Sequence, residues 1–427
     1  MASPQNILFL LLGAAIGAGG ILQGLYWKSS RSPAEMTELE GQVRTAAEEI
    51  VMLKRENESL RSLAQGGGEL SVPRDFIDRT EKDFGLRFLS NPVIHRIAGE
   101  ELRDRITAAI ESRMGPSGID DRQESYALIG WLRPDDDLLT QLTAVRAVDA
   151  NGWFDDVTGE GWMLDKADLK NIPDQATLVG LLARILFHQH FPPAPTYPGD
   201  DAARAREALH QGTAAGAEAR FYVEKARTVG FMPMTENKDF KQLIASLSPF
   251  LQGLTNFPIT EGKSYSDALY VRGNETLHTA FRSPPQTTRT ILSPGATIPT
   301  IDWQLPATPE PPVLTESAGQ LGLLLWLKSL GDDTASAEIA ATWRGDGYLL
   351  FPDGESSVAI VWDIELDSST SADRFQAIAQ KITDAIAKQQ NHTNRHLSLM
   401  RISPTRLRFL NTAEAATLER LKVKIDR

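Results

Sequence analysis

The stretch Thr177–Phe191 reads TLVGLLARILFHQHF, and it limits the fold more than any other part of the chain. Apolar residues recur at Leu178, Leu181, Leu182, Ile185 and Leu186, the three- and four-residue spacing of a helical stripe. Taken alone this is a core helix, and a core helix requires other layers to cover it. Asp174 stands upstream as a cap. Pro192-Pro193 ends the helix, because proline lacks the amide N–H and clashes with the preceding turn.

The 427-residue chain is 41% hydrophobic and 23% charged, the balance of a globular protein with a sizeable core. Its formal net charge of −12 argues against general nucleic-acid binding. With no cysteine, it can form no disulfide, thiolate zinc site, iron–sulfur cluster or thiol nucleophile.

Near the N-terminus, Ile7–Trp27 runs without a charge and is long enough to cross a bilayer. Tyr26 and Trp27 match an interfacial aromatic pair, followed by Lys28 and Arg31. The competing reading is a cleaved signal peptide; the absence of a basic leader segment favours a retained anchor over residues 1–31. Residues 34–64 then repeat in heptads. Met36, Val43, Ile50 and Asn57 hold one seam position, and Leu39, Ala46, Leu53 and Leu60 hold the other. An asparagine at such a site favours a parallel, in-register dimer, with a trimer as the alternative. The expected dimerisation residues are Met36, Leu39, Val43, Ile50, Leu53, Asn57 and Leu60, and Gly66-Gly67-Gly68 forms a joint before the body.

In the body, helical stretches fall near Arg74–Phe84, Gly99–Met114 and Arg122–Leu132. Gly152–Asp156 and Glu160–Leu164 flank a Thr158-Gly159 turn, which signals a β-hairpin. A second long helix starts near Asp200. Residues 295–315, rich in Pro and Thr, read as an extended crossing segment, and residues 316–427 as an α+β portion. That portion includes a hairpin across Pro352–Glu355 and a helix capped by Ser371. Arg344-Gly345-Asp346 spells an adhesion tripeptide, which is too short to be specific.

Several of these segments, taken in order, resemble a family of exported zincin-like metallopeptidases. The helix resembles the family's HELTHALQDQHF, with Leu186, Gln189, His190 and Phe191 matching its tail. The hairpin resembles GFYDP-xTG-xLYV, and Ser283–Pro294 resembles PPxSTEQILHP. In the family, two helix histidines and a glutamate from the next helix hold zinc, and a glutamate beside the first histidine activates water. Here the two histidine positions are Gly180 and Arg184, the base position is Leu181 and the third-ligand position is Gln211. Glycine has no side chain, leucine takes no proton, arginine offers no lone pair, and an amide is a poor zinc ligand.

The resemblance therefore implies a degenerate zincin-like domain over residues 70–294, with no cofactor and no catalytic residue. The expected fold class is α+β, a zincin-like body preceded by a transmembrane helix and a parallel coiled coil. The expected function is a non-catalytic, membrane-anchored pseudo-metallopeptidase that binds or scaffolds proteins or peptides at the cell envelope. The basic residues after the span favour a cytoplasmic body, whereas the resemblance places it on the extracytoplasmic side. The candidate cleft comprises Trp153, Phe154, Asp155, Arg184, His210, Gln211 and Arg289, with the Arg184 guanidinium meeting Gln211, Glu218 or a partner's carboxylate. One alternative is a metal-dependent hydrolase with a relocated site at His188, His190 and His210. The other is an envelope structural protein organised by its coiled coil.

Overall fold

The structure is a computed structural model that describes residues 68–114, 118–148, 151–193, 196–229, 238–298, 305–329, 333–390 and 394–422. Residues from Gly67 onward form one compact unit. The expected fold class is corrected to α+β built on two sheets. Among the described residues no helix is long and apolar enough to cross a membrane. The apolar helices are covered by protein, and the longest helix, Asp200–Val229, carries charges on successive turns. The expected anchor (residues 1–31) and coiled coil (residues 34–64, with all seven dimerisation residues) lie outside the described residues.

After α1 (Arg74–Phe84) comes β1 (Ile94–Ile97), then α2 (Gly99–Met114), α3 (Gly118–Ile129) and α4 (Leu138–Val148). The predicted hairpin follows as β2 (Gly152–Asp155) and β3 (Glu160–Leu164). These strands make the first sheet, ordered β1-β3-β2, in which β1 runs parallel to β3 and β2 antiparallel. Asp155 closes the turn by accepting from the Val157 and Thr158 amides at 2.9 and 3.4 Å. Gly159 supplies the positive φ of +75° that the turn needs.

The predicted core helix is α5 (Ile172–His190). It begins earlier than its apolar stripe. Pro173 suits the first turn, and Asp174 binds the Asp168 amide at 2.9 Å from inside the helix rather than capping it. Leu178, Leu182 and Ile185 pack on the first sheet with Ile94, Phe154 and Met163. Val179, Ala183, Leu186 and Phe187 pack on the other side with Leu209, Ala217 and Phe221. Both faces are covered, and each buried leucine contributes about 1.5–3 kcal/mol of transfer free energy.

Helix α6 (Asp200–Val229) packs along α5. Small residues on its far side let a π-helical turn (Pro258–Gly262) approach closely. A Cβ on Gly212 would lie 2.3 Å from the Gly262 backbone, so side chains are excluded where the two meet. Between and after these come α7 (Lys238–Ser246), α8 (Pro249–Asn256), α9 (Lys263–Val271), α10 (Asn274–Arg282) and α11 (Arg289–Leu292).

The second sheet is antiparallel, ordered β4-β5-β6-β8-β7. Its strands are β4 (Leu314–Glu316), β5 (Trp343–Pro352), β6 (Val358–Leu366), β7 (His396–Arg401) and β8 (Arg406–Thr412). Helices α12 (Gly319–Lys328), α13 (Asp333–Ala340), α14 (Ser369–Gln389) and α15 (Ala415–Leu421) complete the chain. The cap of α14 is Ser368, whose Oγ accepts from the Ser371 amide at 3.2 Å, and not Ser371 itself. Trp326, Tyr348, Trp362, Phe375 and Phe409 fill the core of this half and join Tyr126, Trp131 and Phe250 from the first half.

The Arg344-Gly345-Asp346 tripeptide is structural. The buried Asp346 carboxylate accepts from the Ala318 and Gly319 amides at 2.7 and 2.9 Å. It also accepts from Ser317 Oγ and from the indole nitrogens of Trp343 and Trp362, at 2.9–3.0 Å. Five donors on one carboxylate fix the start of α12 against β5 and leave nothing to present to a partner.

Candidate functional site

A cavity of about 440 Å³ lies where α5 and α6 face β2, α2 and α4. Thr177, Gly180, Leu181 and Arg184 line it from α5, at three- and four-residue spacing on one helical face. Glu207, Gln211, Ala214 and Glu218 line it from α6 with the same spacing. Gly152, Trp153 and Phe154 of β2 form a third wall, and Arg113 of α2 and Arg146 of α4 project from a fourth. The structure thus gathers Gly180, Leu181, Arg184, Gln211, Trp153 and Phe154, residues that the sequence pointed to, into one space.

Most of the charge in this space is paired. Arg113 forms an ion pair with Asp156, and Arg146 reaches Glu207 at 3.3 Å. Gln211 donates through Nε2 to the same Glu207 carboxylate at 2.6 Å. Burial opposes ionisation of Glu207, but Arg146, Arg113 and Arg184 outweigh it and hold its carboxyl below the ordinary range.

Two groups are left over. Among the described residues, nothing forms a hydrogen bond or ion pair with the Arg184 guanidinium. It lies 4.8 Å over the Phe154 ring, its Nε is sealed from solvent without a partner, and the residue lines the cavity. Burial pulls its pKa down to about 10, opposed chiefly by Glu207, so it stays charged at neutral pH. The second is Glu218, which likewise has no hydrogen bond or ion pair among the described residues. Burial pushes its pKa up to about 8, only partly offset by Arg184. Glu218 reaches the cavity across Gly180: a Cβ at residue 180 would stand 1.9 Å from Glu218 Oε1. The acid of α6 that meets Gly180 is therefore Glu218, two helical turns beyond Gln211 on the same face.

The remaining candidates lie elsewhere. Arg289 is buried and donates to Gln320 Oε1, the Ala341 carbonyl and the Trp343 carbonyl at 3.2, 3.0 and 2.7 Å, which ties α11 to α12 and β5. Asp155 serves the hairpin turn. His210 turns away from the cavity and meets the Phe281 ring edge-on at 4.7 Å, with burial lowering its pKa to about 3. His188 Nε2 donates to the Asp156 carbonyl at 3.0 Å and His190 Nε2 to the Arg87 carbonyl at 2.7 Å. The three histidines thus serve separate packing roles. Among the described residues no group of three or more His, Cys, Asp or Glu is placed to hold a metal ion.

Sequence reasoning missed Arg113, Arg146 and Glu207. The spacing from Glu207 through Gln211 to Glu218 is legible as one face of a helix. The two arginines come from helices distant in sequence, and no local signal brings them here.

Residues 311–420 match a family model described as a domain of unknown function, DUF8575. The match covers the second sheet and its helices and excludes α5 and α6. No curated protein and no solved structure matches the chain. The fold stands as α+β, and none of these comparisons bears for or against the zincin-like resemblance.

Proposed function

We propose that this chain is a non-catalytic binding protein that receives an extended peptide or protein segment in the cavity between α5, α6 and β2. The observation that carries the reading is the Arg184 guanidinium: a charged, forked donor set on a residue that lines the cavity and that has no hydrogen-bond or ion-pair partner among the described residues. A partly buried charge without a partner carries an uncompensated desolvation cost, which a ligand able to pair with it removes. The wall beside it supports a peptide in particular. β2 is an edge strand that, among the described residues, pairs with β3 alone, and its residues line the cavity. Such an edge offers backbone donors and acceptors to an incoming strand.

The resemblance to exported metallopeptidases belongs to the same proposal. Gly180, Leu181, Arg184 and Gln211 stand where that chemistry needs two ligands, a base and a third ligand, and each withholds the group required. The test is selection of peptides from a random library on the full-length chain, with mass analysis of the bound fraction. Intact peptides that bind the parent and not Arg184→Leu support the reading. Cleaved peptides, or equal retention by both proteins, overturn it.

A further inference from the structure

We propose that the cavity recognises its ligand through one carboxylate group, held by the Arg184 guanidinium on one side and by the carboxyl of Glu218, acting as donor, on the other. This rests on the binding role assigned above and names the chemistry that role uses.

Three observations carry it. First, among the described residues that line the cavity, Arg122 and Arg204 pair with Asp200 and Glu316, and the pairing of charges leaves Arg184 unmatched. Arg113 is matched by Asp156 and Arg146 by Glu207, while Arg184 is matched by neither. An unmatched cation in a cavity favours an anion and disfavours a cation. Second, Arg184 and Glu218 do not pair with each other, although both line the same space. Glu218 sits over Gly180, one turn before Arg184 on the same face of α5, a rise of about 6 Å. The two hydrogen-bonding groups thus approach the cavity at successive turns of one helical face, where a small planar acceptor can meet both. Third, the guanidinium carbon lies 4.8 Å from the Phe154 ring centre and Nε is sealed, which leaves the terminal nitrogens to offer. Two parallel N–H donors fit a carboxylate edge.

Proton linkage follows from the second contact. Glu218 is faced by Arg184 of α5 and by Tyr222 on its own helix, Asp174 of α5 also acts on Tyr222, and Arg113 of α2 and Arg146 of α4 are occupied by their own acids. The donor form of Glu218 persists up to about pH 8. Above that, its carboxylate repels the ligand's, and affinity falls by about tenfold per pH unit.

The carboxylate could be a chain terminus, an acidic side chain or a free small acid, and four probes separate these sources. They are N-acetyl tetra-alanine with a free C-terminus, the same peptide amidated, the amidated peptide with a central glutamate, and sodium propionate. Each is titrated calorimetrically into the full chain at pH 6.5 and pH 9. At least one carboxylate probe should bind about tenfold or more tighter than the plain amide, and Arg184→Leu should erase the difference. Glu218→Gln should keep pH 6.5 affinity and lose the fall at pH 9, because an amide donates at both. Arg184→Lys should retain part of the affinity. Equal binding of the plain amide, a pH-independent parent, or no binding by any probe at millimolar concentration overturns the inference. Amide binding with carboxylate indifference would leave the peptide-binding reading standing. Propionate binding through Arg184 without peptide binding would do the reverse.

Discussion

At the N-terminal end of α6, the buried Asp200 carboxylate accepts from Arg122 Nε, Tyr126 and Tyr197 at 2.8 Å each, with Arg204 at 3.5 Å. Arg122 also donates to Glu316 of β4 at 2.6 Å, and Glu316 in turn accepts the Asp200 amide at 2.8 Å. About five turns further along the same helix, Glu218 meets no donor at all among the described residues. Burial opposes ionisation at both sites. At Asp200, Arg204 and Arg122 reverse that effect and hold the carboxyl below its usual range. At Glu218 Arg184 does not come close enough, and burial prevails. A protein able to satisfy one buried acid so fully has no folding reason to leave another open. The satisfied cluster joins α3, α6 and β4 into one unit, and the unsatisfied pair is where the proposed ligand would bind.

The sharpest break of this contrast is Asp200→Ala. It strands Arg122 and Arg204 in the interior and should cost about 3–5 kcal/mol in urea unfolding, the largest effect expected of any single change here. The next is Glu218→Gln, whose effect depends on pH. Below about pH 4.5 both folded and unfolded chains hold the proton, and Glu218 contributes nothing to the pH dependence. Between there and about pH 8 the unfolded chain releases the proton while the folded chain keeps it, so the parent loses stability as pH rises. Glu218→Gln removes that loss and should be more stable than the parent at pH 7.5 by about 1–3 kcal/mol, with the two proteins converging at pH 4. A parent whose stability is flat over that range would show that the carboxyl is already ionised. The smallest effect belongs to Arg184→Leu. No hydrogen bond is lost, and a desolvated charge is removed, so stability should stay within about 1 kcal/mol of the parent or rise. A loss beyond 2 kcal/mol would mean that the guanidinium has a structural partner and would erase the contrast with Asp200.

The helix α5 was legible because its stripe at Leu178, Leu182, Ile185 and Leu186 is set by local periodicity, and all four residues are buried. The β2–β3 hairpin was legible because Thr158-Gly159 supplies the turn. Helix ends were less so. Asp174 and Ser371 have capping side chains, yet the actual boundaries fall at Asn171 and Ser368, where the chain enters from a neighbouring element. Half of the cavity could be read from the spacing on α5, which put Gly180, Leu181 and Arg184 on one face. The opposite wall could not, since Arg113 and Arg146 arrive only once α2 and α4 have packed. Arg289 and His210 were misplaced for the same reason. A polar residue near a cleft in sequence can be consumed by carbonyls or rings that tertiary packing delivers.

Gly180 has a consequence for how this part of the chain can be altered. Its missing side chain is the space that Glu218 Oε1 occupies, so a larger residue at 180 requires that carboxyl to move. The Glu218 carboxyl ends a flexible side chain and can swing aside, which would carry it off the position beside Gly180. The two positions are therefore linked in space, although a full loop and most of a helix separate them in sequence.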